Sequence, residues 1–124
     1  MNCSSFWGLT NLSNDYKPAV LVTGAYGGIE HAICDVLSSA GYFIIATDQT
    51  KKGDLIVDAY HSADLEVLVN DQDACQNFRN TIIMSIYHRS FAGIINNAGL
   101  QILGSTDQLS IDDFQPVMRV NLVA

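Results

Sequence analysis

Apolar residues in this chain follow two rhythms: short unbroken runs, and longer stretches with a period near 3.6. Ala19, Val20, Leu21 and Val22 form the first unbroken run. With no alternation, it reads as a strand buried on both faces. It leads straight into Thr23-Gly24-Ala25-Tyr26-Gly27-Gly28, after which Ile29, Ala32, Ile33, Val36, Leu37 and Ala40 recur at helical spacing. Glu30, His31, Cys34, Asp35 and Ser38 take the other face, and Gly41 stops the helix. Tyr42 to Thr47 (YFIIAT) predicts a second buried strand with Asp48 at its end. Leu55-Ile56-Val57 predicts a third, ending in Asp58, with only a polar turn between the two.

From Asp64 the pattern turns helical again. Leu65, Leu68 and Val69 mark a short segment that breaks around Asn70 to Asp73, and Cys75, Phe78, Ile82, Ile83, Ile86 and Tyr87 mark a longer one. Phe91 to Ile95 is a fourth apolar strand running into Asn96-Asn97-Ala98-Gly99. Ser110 and Asp113 have capping-box spacing, but Pro116 would then lie deep inside the helix. A late start near Asp113, or a kink, is therefore expected. Strands alternating with helices predict a doubly wound parallel α/β sheet with right-handed crossovers.

Composition narrows the possible partners. At 124 residues and 48% hydrophobic content the chain is one domain's worth, with a polar extension over residues 1–17 and the domain over 18–124. A formal charge of −7, with six Lys and Arg and no basic run, argues against nucleic acid and anionic membranes as partners. Residues 1–17 lack the features of a signal peptide. Cys3, Cys34 and Cys75 have no metal-ligand spacing and fit thiols in a reducing compartment, so the cytoplasm is the expected location. Cys34 and Cys75 read as packing groups. His31, His61 and His88 share no ligand spacing and read as solvated, so no metal is expected.

Candidate chemistry gathers at the first turn. Strand, glycine-rich turn and helix together present free backbone N–H groups and a positive helix end to a phosphate. Gly24 allows the tight turn, and Gly28 allows close approach of a pyrophosphate. Asp48 follows Gly24 by 24 residues, near the ~20 expected of an acidic residue that binds an adenosine ribose.

Taken together, these residues resemble the short-chain dehydrogenase/reductase family over roughly Ala19 to Val123. Thr23 to Ile29 is similar to its TGxxxGxG cofactor turn, and Asn96-Asn97-Ala98-Gly99 to its NNAG motif. Val120-Asn121-Leu122 is similar to the helix segment whose Asn belongs to the family's Asn-Ser-Tyr-Lys catalytic tetrad. The resemblance implies that Gly24, Tyr26, Gly28 and Ile29 line the pyrophosphate and adenosine side of a cofactor. It implies Asp58 and Ala59 beside the adenine, Asn97, Ala98 and Gly99 near the ribose and nicotinamide, and Asn121 holding a water in the proton relay. Asp48 sits where the family distinguishes NAD from NADP. A carboxylate there repels a 2′-phosphate, so NAD is expected over NADP although Lys51 and Lys52 are near.

The implied activity is NAD(P)-dependent hydride transfer between nicotinamide and a carbonyl or alcohol on a small-molecule substrate, by a protein that is a homo-oligomer when complete. Two departures qualify it. Glu30 replaces the third glycine of the turn: a carboxylate there suits the helix dipole but repels a pyrophosphate if it points inward, so undiminished cofactor affinity is expected only if it turns to solvent. The chain also has no Tyr-x-x-x-Lys pair, which the family uses for proton transfer. It resembles the N-terminal half of a member, expected to be inactive alone and to leave the fourth strand as an apolar edge. The alternatives are a non-catalytic nucleotide-binding or interaction module and an S-adenosylmethionine-dependent methyltransferase.

Overall fold

The structure is a computed structural model that describes residues 17–25 and 27–124. The proposed extension lies almost wholly outside the described residues, as does Tyr26. Four parallel strands form one sheet: β1 (Ala19–Thr23), β2 (Phe43–Asp48), β3 (Ala59–Ser62) and β4 (Phe91–Ile95), in the spatial order β3-β2-β1-β4. The helices are α1 (Gly28–Ser39), α2 (Leu65–Asn70), α3 (Gln72–Ile86) and α4 (Ile111–Met118), followed by a π-helical segment over Arg119–Val123.

The unbroken apolar run of β1 is explained by burial on both sides. Val20 and Val22 join Ile44, Ala46 and Cys34 of α1 in one cluster, while Ala19 and Leu21 join Ile45 and Ile82 of α3 in the other. Alternate residues of each strand thus serve opposite faces, as the pleat dictates. Asp71 separates α2 from α3, closing the first and capping the second by accepting from Ala74 N at 3.0 Å. The predicted break falls there. Among the described residues no helix is long and apolar enough to cross a membrane.

Four expectations are corrected. The third strand begins at Ala59, not at Leu55. The Asp58 carboxylate accepts from the Ile44 N–H at 2.8 Å, which takes that donor out of strand pairing, and the ladder starts only at Ile45 opposite Ala59. Leu55 is a loop residue that plugs the core.

In α1 the inward stripe is Glu30, Ile33, Cys34 and Leu37, whereas Ile29 and Val36 are exposed. Both stripes obey helical spacing and share Ile33 and Leu37, so periodicity alone could not choose between them. The last helix starts at Ile111 behind a complete Ser110–Asp113 capping box, with Pro116 inside it and the π-helical segment directly after. Cys75 is exposed. Cys34 is buried, and burial first, then Asp35 and Glu30, pushes its thiol pKa up.

Candidate functional site

A doubly wound sheet opens a crevice where neighbouring strands lead to helices on opposite faces, here beyond the carboxyl ends of β1 and β4. The crevice has a volume of about 390 Å³. Its walls come from the glycine turn, the end of β2, the start of α2, the segment after β4, and Val120 of the π-helical segment.

Thr23 organises the junction. Its hydroxyl donates to the Ile95 carbonyl at 3.4 Å and accepts from the N–H groups of Asn97 at 3.2 Å and Ala98 at 3.1 Å. The two loops are thereby locked together by one side chain. Gly24 follows with φ +68°, and a Cβ on it would lie 2.5 Å from the Ala98 Cα, so only glycine fits there. Gly28 faces open space, where a Cβ would meet nothing. Gly27 caps α1 without a side-chain hydrogen bond.

Across the crevice, Asp48 ends β2 and accepts from both the N–H and the hydroxyl of Thr50 at 3.2 Å. Asn121 does not stand free. Its Oδ1 accepts from Leu100 N at 2.7 Å and its Nδ2 donates to Leu100 O at 2.9 Å, pinning the segment after Gly99 against the π-helical turn.

The structure therefore brings Gly24, Ile29, Asp48, Asn97, Ala98 and Gly99 to one crevice. Gly28 belongs to the same turn, and Asn121 touches the crevice through Leu100. Asp58 and Ala59 are not there. Asp58 is tied to Ile44, and Ala59 pairs with Ile45, both nearer the amino end of the sheet. Asp64 and Leu65, which the sequence marks only as a helix start, line the crevice instead. Asp64 caps α2 by accepting from Glu66 N at 2.9 Å. The available signal was an acidic N-cap directly after a strand, which puts it at the carboxyl edge of the sheet.

Arg119 was also missed. It holds Glu66 through Nη2 at 2.6 Å and Nε at 3.2 Å, joining the π-helical segment to α2.

The condition set on Glu30 is not met. Glu30 is only 8% exposed, lines the crevice, and accepts a hydrogen bond through Oε1 from the Asn97 amide. His61 is also not a solvated loop residue. It lies in β3 with Nε2 2.6 Å from the Ser85 hydroxyl. Among the described residues no group of His, Cys, Asp and Glu could hold a metal ion.

A family profile described as short chain dehydrogenase matches residues 18–124. The chain belongs to the short-chain dehydrogenase family. It is 30% identical over 112 residues to an acetoacetyl-CoA reductase of Acinetobacter, covering 86% of this chain and 45% of that one. It is 28% identical over 106 residues to human retinol dehydrogenase 5, covering 82% and 33%. Its structure is similar to that of a 4-hydroxyisoleucine dehydrogenase complexed with NADH, with a TM-score of 0.67 at 25% identity, over 86% of this chain and 44% of the other. The chain spans less than half the length of each of these family members. The Thr23–Asn97 junction, the turn at Gly24 and the NNAG segment fall inside the matched range, and membership sets aside the methyltransferase alternative.

Proposed function

We propose that residues 18–124 form the dinucleotide-binding part of an NAD-dependent oxidoreductase, with the cofactor lying across the carboxyl ends of β1, β2 and β4. The observation that carries this reading is the crevice itself: a glycine turn at a helix start, a carboxylate at the end of β2, and the Asn97–Gly99 segment facing both. The residues fit an adenosine well. Asp48 is positioned for ribose hydroxyls, and Asp64 and Leu65 take the adenine side that sequence reasoning gave to Asp58 and Ala59. Main-chain groups of Gly28 and Ile29 face the diphosphate, and Asn97 to Gly99 approach the nicotinamide ribose. At the diphosphate the fit is opposed by one charge, that of Glu30.

When bound, the cofactor supplies a hydride at the nicotinamide C4, exchanged with a carbonyl or alcohol carbon of a small-molecule substrate. The chain's own residues orient and enclose it. Thr23 fixes the spacing between the glycine turn and the NNAG segment. Asn121 holds Leu100 beside the nicotinamide end, the placement that suits it to order a water for proton transfer in the complete protein. The Tyr-x-x-x-Lys pair is not among these 124 residues, so they are expected to bind cofactor without turnover. Homo-oligomerisation of the complete protein is part of the same reading.

Asp48 favours NAD, because a 2′-phosphate beside a carboxylate costs affinity. Calorimetric titration tests this. NADH is expected to bind about tenfold or more tightly than NADPH, and D48A is expected to narrow the gap. Equal affinities in the wild type would remove the NAD assignment. A non-catalytic nucleotide-binding or interaction module is the second reading, and the absence of any NADH binding would leave only its interaction form.

A further inference from the structure

The turn that faces a diphosphate already holds an anion of its own. Glu30 stands in the first turn of the 12-residue α1, where a carboxylate interacts with the positive end of the helix. Its side chain is anchored inward. Oε1 accepts from the Asn97 amide, which also reaches the Thr23 and Gly24 carbonyls at 3.4 Å. Oε2 is buried and has no hydrogen-bond partner among the described residues. The carboxylate lies so close to Gly27 that a Cβ added there would overlap it. Among the described residues no Lys or Arg lines the crevice to offset this charge, and Asp48 and Asp64 line it too. Glu66 also lines it but is paired with Arg119.

We propose that Glu30 is a specificity-determining residue of the turn, whose carboxylate weighs against the diphosphate of a dinucleotide and leaves recognition to the nucleoside. The inference rests on the dinucleotide reading of the crevice. A ligand's phosphates and the Glu30 carboxylate compete for one helix end, and both carry the same sign. A nucleoside without phosphate meets the same Asp48, Asp64 and Leu65 and feels no such opposition. The Asn97 amide holds the carboxylate in place, so swinging it out to solvent breaks a partly buried hydrogen bond.

Titration of the wild-type chain, E30Q and E30G with NADH and, separately, with adenosine distinguishes the possibilities, with thermal melts confirming that each variant folds. E30Q keeps the shape of the side chain and removes its charge, while E30G restores the small residue the turn geometry calls for. The expected result is NADH binding roughly tenfold tighter in both variants, with adenosine affinity unchanged within about twofold. Equal effects on NADH and adenosine, or no gain for NADH in either variant, overturn the role of Glu30 while leaving the crevice assignment intact. If neither ligand binds any of the three proteins, the dinucleotide reading fails and takes this inference with it.

Discussion

Thr23 shows how much of this site one small side chain controls. It is 7% exposed, and its hydroxyl is the acceptor for two N–H groups on the segment after β4. Valine at this position keeps the shape and removes the acceptor, leaving both donors without their partner. T23V is expected to destabilise the chain by about 1–3 kcal/mol in urea unfolding, and NADH affinity is expected to fall with it. Asp58 makes the opposite prediction. Its carboxylate serves the Ile44 N–H at the far end of β2, so D58A is expected to cost about 1–2 kcal/mol of stability with NADH affinity unchanged. A matching loss of affinity would return Asp58 to the cofactor site.

The glycine turn and Asp48 were legible because the one is a backbone requirement and the other a strand-end position that spacing reveals, whereas the NNAG residues were picked out by the family resemblance. Asp64 was legible as a helix start, and it caps α2, whereas Asp58 was misplaced because Leu55-Ile56-Val57 before it was read as a strand. The hydrogen bond to Ile44 and the register of β3 show that Asp58 precedes that strand.

Elements with strong local signals matched the sequence closely. β1 and β2 are apolar runs that burial on both faces explains, whereas β4, equally apolar, is an edge strand that leaves Phe91 and Ile94 exposed; the Asp71 break between α2 and α3 was visible in the pattern. The start of α4 pitted a capping box against a proline, and the box prevailed. Ser110 accepts from Asp113 N at 3.2 Å, and the Asp113 carboxylate accepts from Ser110 N at 2.9 Å. Pro116 removes one later N–H donor but leaves this first turn intact.

Hydrogen bonds from the Ser110 hydroxyl, then its backbone N–H, hold the Asp113 carboxyl below its ordinary value. A folded-state value below the unfolded one stabilises at pH above the unfolded value, about 3.9. That contribution is lost as pH falls through the lower folded value. Amide protection at the start of α4 is therefore expected to hold from neutral pH down to about 4 and to fall below it. S110A is expected to cost about 1 kcal/mol at neutral pH and to flatten the acid response. An unchanged acid response in S110A would contradict the capping account.

At the scale of the whole molecule, the order β3-β2-β1-β4 makes β1 and β2 central and puts β4 at one edge. Alternating strands and helices were enough to read a doubly wound parallel sheet, but the strand order itself comes from the structure. The inward face of α1 was not legible. Glu30 is buried because Asn97, 67 residues away in sequence, supplies its partner, and periodicity within a helix carries no information about such a contact.

The arrangement places every proposed binding residue at one end of the sheet and the Asp58–Ile44 contact toward the other. Amide chemical shifts followed during an NADH titration read both ends at once. Saturable changes at Gly24, Gly28, Ile29, Asp48, Gln49, Asp64, Leu65 and Asn97 to Gly99, with Ile44, Asp58 and Ala59 unmoved, are the result expected. Shifts centred on Ile44 and Asp58, or none that saturate, would contradict a dinucleotide lying across the carboxyl ends of the strands.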